Sequence, residues 1–203
     1  MSSLTDLCNR MLSCTECGLS RGRTQVVPGE GPEDAKLVFI GEAPGVQEDR
    51  QGRPFVGPAG QYLNELLESA GLKRSGVYIC NVVKCRPPNN RDPLPTEIAA
   101  CKHWLDSQLE LINPKIIVTL GRYSMARYFP GESIGRIHGR PRRGKDGVIY
   151  FPMYHPAAAL HQQSLKPLIE EDMRKLAALL EEETKVIESA LGGPVQSQQL
   201  SMF

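Results

Sequence analysis

The chain has 203 residues, enough for one ordinary domain with a proper core, and 40% of them are hydrophobic. It has no apolar run of about 18 residues that would read as a membrane span. The net charge of +1 decides little as it stands. Residues 170–188 hold seven acidic side chains against three basic ones, which leaves 21 basic and 16 acidic residues elsewhere. That remainder is modestly biased towards a polyanionic partner.

The start of the chain, Met1 to Asp6, lacks the basic residues and apolar stretch of a signal peptide. A cytoplasmic location is therefore expected, where six cysteines are thiols or metal ligands more readily than disulfides. Cys8 falls on a short N-terminal helix. Cys14 and Cys17 then form a C-x-x-C pair before the first strand.

The apolar runs at 36–41, 76–81, 114–121 and 147–152 read as strands, and their lack of alternation suits strands covered on both faces. Helices fill the gaps between them. Residues 58–70 begin with Pro58, carry Tyr62, Leu63, Leu66, Leu67 and Ala70 on one stripe, and stop at Gly71. Residues 95–112 space Ile98, Cys101, Leu105, Leu109 and Ile112 three or four apart, another helix follows Gly121, and a long one covers 166–191. This order predicts an α/β fold, a three-layer α/β/α sandwich with a mostly parallel sheet of about four strands. It forms a single domain over 1–191, followed by a disordered tail rich in Gly, Pro, Ser and Gln over 192–203.

In such sheets, ligands bind beyond the carboxyl ends of the strands. That rule selects the loops at 42–57, 82–94, after Arg122, and 153–161. The first follows Gly41 and holds Glu42, Ala43, Glu48, Asp49 and Phe55 among three glycines and two prolines. The second strand ends in Asn81, followed by Lys84, Cys85, Arg86 and Arg91. The fourth runs into His155. Cys85 and Cys101, with Cys14 and Cys17, supply four thiolates from two separate pieces of chain, which suits either zinc or an iron–sulfur cluster. Cys101 also fits as a small buried residue on a helix face. Asn81 could equally cap a turn, and Phe55 could equally be core.

The segments GEAPG, ED and GRPFVGPAG, then NVVKCRPPNNR, then HPAA resemble the family 4 uracil-DNA glycosylases, in order, over roughly residues 8–180. The resemblance implies a [4Fe–4S] cluster on Cys14, Cys17, Cys85 and Cys101, and an enzyme that flips uracil out of DNA and hydrolyses its glycosidic bond. Asn81 would then read the uracil edge, and Phe55 would stack on the ring beside Gly41 and Ala43. His155 would donate to the departing base. Glu42 is the first choice to position water and stabilise the sugar cation, with Asp49 and Glu48 in reserve.

DNA contacts are expected from Lys84, Arg86, Arg91, His138 and Arg140, the last two within a basic stretch at 136–145 that could equally be a solvated loop. Leu160 is a candidate wedge. His138 resembles the nucleophile of the X-type uracil-binding proteins, which stay bonded to the abasic sugar. Ala43 stands where that branch carries Gln, and the longer basic insertion before the His is missing, so turnover is expected. A non-enzymatic cluster-bearing module that binds nucleic acid is the alternative from another class. The chain is expected to act as a monomer. Its last residues, Gln199, Leu200, Ser201, Met202 and Phe203, resemble the peptide that binds the bacterial sliding clamp.

Overall fold

In the computed structural model, which describes residues 3–191, five strands form one sheet in the order β2–β1–β3–β5–β4. Strands β1 (Leu37–Gly41), β2 (Tyr78–Asn81), β3 (Ile116–Leu120) and β5 (Ile149–Met153) run parallel. The fifth, β4 (Arg142–Arg143), pairs antiparallel with β5 at one edge. Those two arginines carry no apolar signal, so only the four hydrophobic strands were legible in advance.

The parallel strands are buried on both faces, and successive residues feed opposite layers. Leu37 and Phe39 meet Leu63, Leu66, Ile169 and Met173 on one side. Val38 and Ile40 meet Leu7, Met11, Trp104 and Leu105 on the other. The first layer comes from α3 (Pro58–Ser69) and α8 (Lys166–Leu191), and the second from α1 (Leu4–Met11) and α4 (Pro95–Ile112).

The helix ends follow local chemistry. Pro58 and Pro95 stand at first-turn positions where a missing N–H forfeits no helical bond. Glu97 accepts from the Leu94 N–H at 2.8 Å, and Asn113 closes α4 in the left-handed region at φ 48°. Between β3 and β4 come only short helices, Arg122–Ala126 and Ile134–Ile137. Residues Pro156–His161 form a further short helix directly after β5. Among the described residues, no helix is long and apolar enough to cross a membrane. The tail at 192–203, with its clamp-like pentapeptide, lies outside the described residues.

Candidate active site

The carboxyl ends of the strands open into a cleft of about 590 Å³, within the usual size for a small-molecule site. Glu42, Ala43, Phe55, Asn81 and His155 all line it. The tips of β1 and β2 stay paired past the strands, with Val82 N–H donating to Gly41 O at 3.0 Å. A methyl group at Gly41 would overlap the Asn81 amide oxygen and the Phe55 ring, so glycine is what lets these two groups meet.

Asn81 is 2% exposed, and its Oδ1 is buried with no partner. An orphaned acceptor of this kind is costly unless a ligand supplies the donor. Phe55 packs beside it, and its ring stacks on that of His155 with centroids 5.5 Å apart and planes 26° from parallel.

His155 caps the helix Pro156–His161. Its Nδ1 accepts from the Ala157 N–H at 3.1 Å, which leaves the ring proton on Nε2. Burial pushes its pKa down to about 4, so the ring is a neutral donor at physiological pH. Glu42 stands across from it. Its Oε1 accepts from the Tyr123 N–H at 3.3 Å, while burial holds the carboxyl above its ordinary range. Gly121, at φ 91°, leaves room for both Glu42 and His155. A Cβ there would strike the Glu42 carboxylate.

Two expectations from the sequence are corrected. Asp49 does not line the cleft. It is 3% exposed and accepts from Thr24 N–H at 2.9 Å and Gln25 N–H at 3.4 Å, so it ties the loop to the segment before β1 and has no catalytic position. Lys84 cannot reach DNA. It is 2% exposed, and its Nζ donates to Asn81 O at 2.9 Å and to Gln108 Oε1 at 2.6 Å. The reserve carboxylate Glu48 borders the cleft but is committed to Gly45, Val56 and Gly57 N–H groups.

Of the remaining expected contacts, only Arg91 and Leu160 border the cleft. Arg91 lines the cleft and is braced by Glu97 through bonds of 2.9 and 2.6 Å. Arg86 donates to Asn90, Arg140 is exposed, and the exposed Leu160 borders the opening. His138 is not part of the lining. Its Nδ1 lies 2.8 Å from the buried Asp172 carboxylate, and its ring rests against Tyr154. Asp172, Gln108 and Arg74 carried no sequence signal, since their partners are distant in the chain.

Cys14, Cys17, Cys85 and Cys101 converge on a second cavity, with Met11, Val26 and Trp104. Three N–H groups point at their sulfurs: Arg23 to Cys85 at 3.3 Å, Trp104 to Cys14 at 3.4 Å and Lys84 N to Cys101 at 3.3 Å. Such donors favour thiolates. As bare thiols the buried pair resists ionising, with Cys101 pushed up to about 11 by burial. Among the described residues, no three His, Cys, Asp or Glu side chains close around a single metal ion. Four thiols on one cavity, three of them facing N–H donors, fit a centre held by four thiolates. Cys8 and Cys80 stay outside the cavity.

The family model described as Uracil DNA glycosylase superfamily matches residues 28–180. A "Type-4 uracil-DNA glycosylase" of Sulfurisphaera tokodaii is 46% identical over 207 residues, covering 97% of this chain and 94% of the relative. The one from Thermotoga maritima is 47% identical, covering 86% and 93%. A "Type-5 uracil-DNA glycosylase" of Thermus thermophilus is more distant, at 34% identity over 59% of this chain.

Proposed function

This chain belongs to the uracil DNA glycosylase superfamily, and we propose that it hydrolyses the bond between uracil and deoxyribose in DNA through Asn81, Phe55, His155 and Glu42. The observation that carries the assignment of residues is the unpartnered Asn81 Oδ1, buried beside a flat ring and a neutral imidazole.

A base in a duplex hides its glycosidic bond, so the nucleotide must swing out into the cleft. Asn81 Oδ1 then accepts from uracil N3–H while its amide donates to O4. Cytosine offers a bare lone pair at N3 and a donor at C4, so the same amide orientation rejects it. Phe55 supplies the stacking face. As the bond breaks, negative charge grows on the base, and His155 Nε2–H donates to O2 where that charge develops. Glu42 faces the sugar side, where a carboxylate stabilises the oxocarbenium character and orients the attacking water.

The elevated pKa of Glu42 sets a direction for the pH profile. The ionised form is the working one, so turnover rises with pH through a value above the ordinary carboxylate range. Glu42→Gln is expected to lower kcat by about 10²–10⁴ and flatten that acid limb. Inhibition by free uracil should be unchanged. An unaltered kcat would remove Glu42 from the chemistry.

A [4Fe–4S] cluster held by Cys14, Cys17, Cys85 and Cys101 would supply a structural clip between residues 14–17 and 85–101. Arg86, Arg91 and Arg140 contact the phosphates, which makes affinity fall with salt. Product is released: His138 stands outside the cleft lining, the relatives are Type-4 glycosylases, and the covalent and non-enzymatic readings are not favoured.

Residues 199–203 anchor the enzyme to a sliding clamp. Deleting them is expected to abolish clamp binding, measured by surface plasmon resonance, and to leave uracil release intact. Unchanged clamp affinity would refute this role.

A further inference from the structure

Phe55 sits at φ 51°, a left-handed conformation that a bulky L-residue keeps only when its surroundings impose it. Gly60 makes room for the turn, since a Cβ there would lie 1.9 Å from Phe55 O. On the amide side, Glu48 Oε1 accepts from Val56 N–H at 2.9 Å and Gly57 N–H at 2.8 Å. The carbonyl side is gripped by Arg74, which lies outside the cleft on the turn just before β2. Its Nη2 donates to Pro54 O at 2.6 Å and its Nη1 to Phe55 O at 3.2 Å. The guanidinium is itself braced by Asn64 Oδ1 at 2.9 Å and by Glu30, 3.8 Å from Nε. Glu30 is in turn held by Arg53 at 2.8 Å.

We propose that Arg74 is a positioning residue: its planar fork spans two successive carbonyls, fixes the strained Phe55 turn, and so keeps the stacking ring in the uracil pocket. A lysine cannot span both acceptors with fixed geometry. Without the fork, both carbonyls lose their donor, and Phe55 is free to relax to negative φ and turn its ring out of the cleft.

The inference rests on the reading that Phe55 stacks on uracil, and its test separates the two. Stacking acts in the ground state as in the transition state. Arg74→Met should therefore raise KM and the inhibition constant of free uracil together, by about tenfold, with kcat changed less than about threefold. Arg74→Lys, which keeps the charge and a single donating nitrogen, should recover part of the loss, and it serves as the probe where the methionine variant folds poorly. In a Phe55→Ala background, Arg74→Met should have no further effect on uracil inhibition, because no ring remains to be positioned. An equal loss with and without the ring, or a fall in melting temperature with unchanged uracil inhibition, would overturn the proposal. If Phe55→Ala alone leaves uracil inhibition unchanged, the stacking reading fails first.

Discussion

Replacing Asn81 by alanine is expected to lower kcat/KM for uracil-containing DNA by about 30- to 10⁴-fold. Two buried hydrogen bonds at about 1–3 kcal/mol each set that range, with roughly 1.4 kcal/mol per decade of rate. The free protein should respond differently. Asn81 Oδ1 has no partner without substrate, so truncation removes a buried, unsatisfied acceptor and forfeits no acceptor bond. The melting temperature should hold steady or rise while activity collapses, which is the signature of a residue kept for its ligand. A parallel loss of stability and activity, measured by calorimetry and uracil release, would instead make Asn81 a structural cap.

The second large effect concerns the cysteine cavity. Cys101→Ala is expected to abolish bound iron and acid-labile sulfide, together with the broad visible absorbance of an iron–sulfur centre. A structural metal centre contributes its binding energy to folding. Losing even about 4 kcal/mol would lower the melting temperature by roughly 8–16 °C in a domain of this size. Cys8→Ser and Cys80→Ser provide the control, since neither side chain lines the cavity. They should keep the full iron content. Iron retained by Cys101→Ala, or lost equally from Cys8→Ser, would contradict the ligand set.

The layer architecture was legible because unbroken apolar runs and three- or four-residue stripes report burial directly. Helix α4 was read at its observed limits from the spacing of its apolar residues over 95–112. The loops at the strand ends were legible too, and they did bring Glu42, Phe55, Asn81 and His155 to one cleft. What failed was the sorting of charged residues within those loops. Lys84 looked like a phosphate contact, but Gln108 on α4 draws its amine into the core. Asp49 looked like a catalytic carboxylate, but two N–H groups from residues 24 and 25 claim it. Arg74 gave no signal because the two partners it grips at the Phe55 turn are main-chain carbonyls, which look the same in every sequence. A charge reveals its type in the sequence, and only the fold shows what it faces.

The proposed positions of Asn81, His155 and Glu42 describe a pocket that lets go of both products. The most direct test is a single incubation with a uracil-containing oligonucleotide, followed by chromatography of the small molecules and denaturing electrophoresis of the DNA. Free uracil should accumulate over many turnovers beside an abasic strand that migrates unattached, and Asn81→Ala should suppress both. Tight DNA binding without free uracil, or a heat-stable protein–DNA band that disappears in His138→Ala, would contradict it.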